Sequence, residues 1–235
     1  MKRTLLLICT LLCANVLLAQ EQLAVLKHND STSVFYGQTA FEQAYTAATH
    51  GDIITLSDGI FSTPQYVRKG ITVRGNGAVA DTARHSTGTY FMEDFIVSNL
   101  GDSLQFSAEG IYFDYLSLGS AYDVNLTRCY VHTFNQNGGV QATNCIIRKF
   151  LNGTSSNNNT YINCVLLPLN NSSPYDLPYY AICNNCIILG REDTQGSHYG
   201  QFQYNNCIIM RKGTSNDTIL NGIINNSVLI GFTGT

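Results

Sequence analysis

The chain has 235 residues, of which only 12% are charged, and its formal net charge is −3. A nucleic-acid-binding protein would show a basic stripe, and this sequence contains none, so nucleic acid is not an expected partner. Asn, Gly, Ser and Thr are frequent, whereas long patterns of Glu, Lys and Leu are missing. This composition favours strands and turns over helices.

Residues 1–20 have the order of a secretory signal peptide. Lys2 and Arg3 precede an apolar run from Leu5 to Leu18, and the small residue Ala19 follows it. We therefore expect an exported protein, secreted or at the cell surface, with the periplasm as a further location. No other apolar stretch approaches the ~20 residues of a membrane-spanning helix, which predicts a mature chain without a transmembrane segment.

Residues 21–36 form a lead segment, and residues 37–235 are expected to be one domain that begins with a capping helix. The stretch 39–50 is amphipathic and predicts that helix. "GDIITLSDGIF" from Gly51 and "KGITVRGNG" from Lys69 then predict the first two coils of a β-solenoid. The register of the coils between residues 77 and 125 stays open, with "DFIVSNL" from Asp94 and "EGIYFDYLSL" from Glu109 as candidate coils.

The C-terminal half repeats a short phrase about every twenty residues. One column of the repeat reads Cys129, Cys145, Cys164, Cys186, Cys207 and Ser227. The position before it holds Arg128 and then Asn144, Asn163, Asn185, Asn206 and Asn226. The positions three before and two after the cysteine are mostly apolar. A period of this length predicts a solenoid whose repeats are coils of short strands.

Strand alternation places the cysteine column and the aliphatic column two residues later on one inward face. Asn tolerates a left-handed backbone, so the asparagines mark a bend, where we expect their amides to form a buried ladder between rungs. Stacked cysteines lie ~4.8 Å apart, too far for the ~3.8 Å that disulfides prefer, so we predict buried free thiols. Cys183 and Cys186 resemble a zinc or redox motif, but both fall in packing columns, and no metal site is predicted.

This pattern resembles the right-handed parallel β-helix of the pectin-lyase-like superfamily, from about residue 37 onward. The resemblance implies an all-β solenoid with a short N-terminal capping helix and an asparagine ladder at one turn. The signal-like ending "LLAQ" resembles those of Bacteroidetes proteins. No single activity is implied, because the superfamily includes lyases, hydrolases, esterases and adhesins.

In polysaccharide lyases of this superfamily, an Arg or Lys abstracts the proton α to a uronate carboxylate, and calcium neutralises that carboxylate. His132, Arg148 and Lys149 are the candidates here, and the alternative is a solvated strand edge. Calcium enters only under this lyase interpretation, and the lack of an acidic cluster beside these residues favours the solvated strand edge instead. No other cofactor is expected. Asp176 and Glu192 are candidates for the paired carboxylates of a hydrolase.

Tyr179 and Tyr199 are candidates for stacking against a polysaccharide, with core packing as the alternative. The expected function is non-catalytic carbohydrate binding. One alternative is a pectate-lyase-like enzyme, either a lyase acting on a uronate-containing glycan or a hydrolase. The other is a structural or adhesive rod that contacts another protein.

An apolar column follows each cysteine by one position and should point outward. It reads Tyr130, Ile146, Val165, Ile187, Ile208 and Val228. Six stacked apolar side chains would form an exposed stripe that needs cover, either from the longer loops that follow each strand or from a partner. The sequence therefore predicts association through this stripe or the C-terminal end, as a homo-oligomer or with another surface protein.

Overall fold

The computed structural model describes residues 22–80, 83, 86–98, 100–101, 104–119, 123–151, 159–167, 180–189, 201–210 and 222–230. Within these residues the chain forms an all-β parallel solenoid with a short helix near its N-terminal end. The signal peptide predicted over residues 1–20 lies outside them. No helix in the described part is long and apolar enough to cross a membrane.

Two sheets run the length of the solenoid, and each coil contributes a strand to both. Sheet A contains β1 (Leu23–His28), β2 (Ser31–Tyr36), β3 (Ile53–Leu56), β5 (Thr72–Arg74), β7 (Phe106–Glu109), β9 (Val124–Thr127), β11 (Val140–Thr143), β14 (Asn159–Ile162), β16 (Tyr180–Asn184), β18 (Gln201–Asn205) and β20 (Gly222–Asn225). Sheet B contains β4 (Gly59–Ile60), β6 (Thr89–Val97), β8 (Tyr112–Leu118), β10 (Tyr130–Gln136), β12 (Ile146–Ile147), β13 (Phe150–Leu151), β15 (Val165–Leu166), β17 (Ile187–Leu189), β19 (Ile208–Met210) and β21 (Val228–Ile230). From β3 onward the pairings in both sheets are parallel.

The N-terminal end of the solenoid is covered by a hairpin and a helix. β1 pairs antiparallel with both β2 and β3, so the lead segment extends sheet A. Helix α1 (Ala40–Ala47) lies within the predicted range 39–50. Its Phe41 is fully buried, with its ring centroid 4.9 Å from that of Phe91 and 5.9 Å from that of Phe95. The helix therefore shields this end of the apolar core from solvent.

Lys69 closes the C-terminal end of α1. Its ammonium group donates to the carbonyl oxygens of Tyr45 at 2.6 Å, Thr46 at 3.1 Å and Ala48 at 2.8 Å. These carbonyls belong to the last turn of a helix, where no intrahelical donor remains for them and where a cation is favoured by the helix dipole. The side chain thus joins the cap to the first coils.

The first two coils form where the sequence places them, as β3 with β4 and then β5. The next stretch differs from expectation. Asp94 belongs to the nine-residue strand β6 and starts no coil of its own, because a register shift between Phe91 and Asp94 lengthens that strand. The candidate coil from Glu109 is confirmed and contains β8.

A left-handed bend separates the two sheets in each of the last six coils. The residues before the cysteine column have φ between 47° and 56°: Arg128, Asn144, Asn163, Asn185, Asn206 and Asn226. The backbone N–H of Asn185 donates to the carbonyl of Asn205 on the next rung at 3.0 Å, and Asn144 and Asn163 bond likewise to Ile162 and Asn184. A column of backbone hydrogen bonds therefore follows the bend.

The predicted burial of the ladder amides is wrong, because Asn144, Asn163, Asn185, Asn206 and Asn226 are all exposed. The bend turns their side chains away from the core. The Asn226 amide still donates to Asn206 Oδ1 at 2.7 Å. A second amide column one position earlier repeats this bond, from Asn205 to Asn184 at 2.8 Å and from Asn225 to Asn205 at 2.9 Å.

The cysteine column lies inside the coil. Cys129, Cys145, Cys164, Cys186 and Cys207 are buried and unpaired, as is Cys183. Cys164 Sγ donates to the carbonyls of Ala142 at 3.4 Å and Ile162 at 3.3 Å. Ser227 Oγ makes the equivalent bonds to Tyr204 and Asn225. Cys and Ser suit this column because each has a small side chain that donates a hydrogen bond to the carbonyl oxygens beside the bend.

Candidate binding face

The outer face of sheet B carries one unbroken apolar column. Strand pairing aligns nine residues, one per rung, which we call the outer column: Ile60, Tyr90, Tyr112, Tyr130, Ile146, Val165, Ile187, Ile208 and Val228. All nine are at least partly exposed. The predicted stripe thus points outward and gains three members: Ile60 in the first coil, and Tyr90 and Tyr112 in the stretch whose register the sequence left open.

Tyr90, Tyr112 and Tyr130 occupy successive rungs and form what we call the tyrosine ladder. The ring centroids of Tyr90 and Tyr112 are 5.2 Å apart, and those of Tyr112 and Tyr130 are 5.0 Å apart with planes inclined by 10°. The spacing follows from the rung separation of ~4.8 Å, which brings equivalent side chains into contact. The half-buried rings make a continuous aromatic strip parallel to the solenoid axis.

Asp114 and His132 lie two residues beyond Tyr112 and Tyr130 on β8 and β10, and Arg148 lies two residues beyond Ile146, the next member of the outer column. We call these three polar side chains the polar cluster. The pairs Phe113 with Val131 and Val131 with Ile147 place them on successive rungs. Asp114 Oδ1 is 2.9 Å from His132 Nδ1. The arrangement of His132 and Arg148 on neighbouring rungs is the one expected from their equivalent positions in the repeat.

The cluster is open to solvent, with the side chains of His132 and Asp114 exposed by 39% and 40%. Arg148 is exposed, and its guanidinium makes no ion pair within the described part of the chain. Burial, followed by the negative charge of Asp114, raises the pKa of Tyr112 above its ordinary value. Its phenol therefore stays protonated at neutral pH and can donate a hydrogen bond.

The ladder and the cluster together offer apolar rings, a phenol donor, a carboxylate, an imidazole and a guanidinium. These are the groups with which proteins contact the apolar faces, hydroxyls and carboxylates of sugars. Asp114 and the first two tyrosines were missed from the sequence. The signal for Tyr112 and Asp114 is Gly110, whose φ of 63° places it in the bend column beside Arg128. Tyr90 is then located by its pairing with Tyr112.

The other predicted site residues do not join this cluster. Lys149 lies between β12 and β13 and is half-buried, and its carbonyl accepts the N–H of Phe134 at 2.7 Å. Asp176, Tyr179, Glu192 and Tyr199 lie outside the described residues. Among the residues that are described, no group of three His, Cys, Asp or Glu side chains could hold a metal ion.

Further along sheet B, from the Val165 rung onward, the position two residues after each member of the outer column holds an apolar residue and not a polar one. On the last five rungs, the two outward positions hold Arg148, on the Ile146 rung, and nine apolar side chains. We call these nine the apolar face: Ile146, Val165, Leu167, Ile187, Leu189, Ile208, Met210, Val228 and Ile230. Ile187 and Ile208 are 40% and 41% exposed, and Val228 is 55% exposed. The outer face of sheet B is therefore aromatic and polar towards one end and apolar towards the other.

No family model, curated protein or solved structure matches the chain. What it shares with the pectin-lyase-like superfamily is therefore the parallel β-solenoid itself. A fold of this kind carries many activities, so function has to be inferred from the geometry of the outer face.

Proposed function

We propose that the protein is an exported, non-catalytic carbohydrate-binding protein, secreted or held at the cell surface, that contacts a polysaccharide along the tyrosine ladder. The observation that carries the proposal is the stack of Tyr90, Tyr112 and Tyr130 beside Asp114, His132 and Arg148. Export rests on the order of residues 1–20. The capping helix and the left-handed bend column support membership of the pectin-lyase-like superfamily, with its right-handed coil.

The geometry suits an extended polymer. Ladder and cluster run parallel to the solenoid axis over four rungs, about 14 Å from first to last at ~4.8 Å per step. A polymer aligned with that axis meets equivalent groups at each step, with aromatic contact on one side and hydrogen-bonding groups on the other. Arg148, which lacks an ion-pair partner in the described residues, favours a glycan that carries carboxylates.

Binding can be tested on a panel of neutral and uronate-containing polysaccharides, followed by calorimetric titration of the best ligand. Tyr112→Ala and Tyr130→Ala should each weaken binding about tenfold, because each removes an aromatic contact worth ~1.5 kcal/mol. Tyr36→Ala is the matched control, since Tyr36 is 58% exposed but lies on β2 in sheet A.

Thermal unfolding of each variant checks that the fold persists. The proposal predicts that the Tyr36 variant binds like the wild type. Absence of any bound glycan would contradict the proposal, and so would equal affinity in all three variants.

A second candidate, a polysaccharide lyase, is favoured by the hydrogen bond between Asp114 and His132. A carboxylate on Nδ1 orients the ring so that Nε2 can accept a proton, and Arg148 on the next rung can neutralise a uronate carboxylate. Incubation with uronate polysaccharides, with calcium and with a chelator, would then release an unsaturated product that absorbs in the ultraviolet. Such a product from the wild type, but not from His132→Ala, would replace the non-catalytic proposal.

A further inference from the structure

Charged side chains follow an order along the tyrosine ladder, acidic at one end and basic at the other. Four successive rungs carry what we call the charge series: Glu93 and Asp94, then Asp114, then His132, then Arg148 and Lys149. We propose that the ladder and the charge series bind a zwitterionic oligosaccharide, in which one sugar carries a protonated amine and another a carboxylate. This inference rests on the proposed carbohydrate binding and specifies the class of its ligand.

Strand pairing sets the distance between the two ends of the series. It aligns a column one residue beyond the polar cluster, with one member on each rung: Asp94, Tyr115, Thr133 and Lys149. Asp94 and Lys149 are therefore three rung steps apart, about 14 Å at ~4.8 Å per step. A single sugar ring is too short to contact both, so the ligand has to be an oligosaccharide that lies along the solenoid axis.

The two ends of the series are available to a ligand. Glu93, Asp94 and Arg148 are exposed, and Lys149 is half-buried. None of these four side chains makes an ion pair with another described residue. In the middle of the series, by contrast, Asp114 and His132 bond to each other at 2.9 Å. Free charge of opposite sign therefore lies at the two ends.

Arg68 does not neutralise the acidic end. Val67 pairs with Val97, so Arg68 lies beside Ser98, four residues beyond Asp94 and about 13 Å further along the strand. The Arg68 guanidinium packs over the ring of Tyr66, 4.8 Å from its centroid. The acidic end of the series therefore keeps its negative charge.

A zwitterionic glycan complements both ends at once. Its amine faces Glu93 and Asp94, and its carboxylate faces Arg148 and Lys149. A glycan with carboxylates alone is repelled at the acidic end, and one with amines alone is repelled at the basic end. Exposed ion pairs each change affinity by about fivefold at most, so the aromatic ladder supplies most of the binding and the charges supply the selectivity.

The test uses one oligosaccharide backbone in four charge forms. A hexasaccharide of alternating glucuronate and N-acetylglucosamine is the anionic form, and removal of its acetyl groups gives the zwitterionic form. Reduction of the carboxylates to alcohols turns these two into the neutral and the cationic form. In calorimetric titration at low salt, the zwitterionic form should bind about fivefold more tightly than either singly charged form. At ~1 M salt this difference should vanish, because the Debye length falls to ~3 Å.

Charge-reversal variants locate the selectivity on the series. The double variant Glu93→Lys with Asp94→Lys should bind the anionic form more tightly than the zwitterionic form. Arg148→Glu with Lys149→Glu should instead favour the cationic form. Lys27→Glu is the matched control, because Lys27 is exposed on β1 in sheet A, and it should keep the wild-type order of affinities. Circular dichroism verifies the fold of each variant.

Three results would overturn the charge proposal. Equal affinity for all four forms, each weakened by Tyr112→Ala, would refute charge selection while upholding carbohydrate binding at the ladder. Tightest binding of a singly charged form, or a zwitterionic preference that both double variants retain, would remove the charge series from the site. Binding of none of the four forms would also refute it, since the series then attracts neither charge, and the panel of polysaccharides tests carbohydrate binding independently.

Discussion

The bend column can be tested by replacing Asn185, whose φ of 54° lies in the left-handed region. In Asn185→Ala the backbone must keep this conformation, because the N–H of residue 185 bonds to the carbonyl of Asn205. Left-handed backbone costs an ordinary L-residue about 1–2 kcal/mol, and Asn bears part of that cost already. We therefore expect a loss of about 1 kcal/mol in the free energy of unfolding.

Two companion variants separate backbone conformation from side-chain bonding. Asn185→Gly removes the amide but accepts positive φ freely, so its stability should stay close to that of the wild type. Gln141→Ala truncates an exposed side chain on the extended strand β11 and should change stability by less than about 0.5 kcal/mol. The double variant Asn144→Ala with Asn206→Ala should lose about 2 kcal/mol, because sites three rungs, or about 14 Å, apart are additive.

Urea denaturation followed by circular dichroism measures these differences as midpoint shifts at a common slope. An Asn185→Gly variant as unstable as Asn185→Ala would show that the amide, and not the backbone conformation, matters at the bend. An unchanged Asn185→Ala variant would show that the bend is not strained.

Three further expectations concern the interior and the cap. Burial should leave the six thiols of the described residues, from Cys129 to Cys207, unreactive at pH 8, and unfolding should make all six reactive; contact with Cys145 raises the pKa of Cys164 to about 12. Burial raises the pKa of Asp58, but hydrogen bonds from Asn76, Ser86 and the N–H groups of Thr87 and Gly88 lower it overall, below 3.8. The stability from Asp58 is therefore complete above that value and is lost as the pH falls through the lowered pKa, so Asp58→Asn should flatten the acid side of a stability profile. Lys69→Met should destabilise by about 2 kcal/mol in urea, because three helix-terminal carbonyls lose a charged donor.

The repeat predicts most of the C-terminal half because its columns are visible as residue types. Asn at a left-handed bend and Cys or Ser at a buried donor position recur together, and they fix the register of every strand from β10 onward. The burial of the asparagines was misjudged, since residue identity reports the backbone conformation of a bend but not the direction in which the bend turns the side chain.

The N-terminal coils have the same register, but other residue types occupy their bend and cysteine positions. Gly110 takes the bend position with φ of 63°, and Ile111 fills the cysteine column, so no Asn–Cys pair marks this coil. A register shift in β6 further displaces Tyr90 from any simple period. The tyrosine ladder and Asp114 depend on this register, which is why the sequence indicates His132 and Arg148 but not the residues beside them.

Hydrogen–deuterium exchange of the wild type with and without its best oligosaccharide ligand tests the carbohydrate-binding proposal most directly. The ligand should slow exchange in peptides from β6, β8 and β10, which carry the tyrosine ladder, and leave β11, β14 and the hairpin of β1 and β2 unchanged. Protection confined to sheet A, or no protection at saturating ligand, would contradict a binding site on the outer face of sheet B.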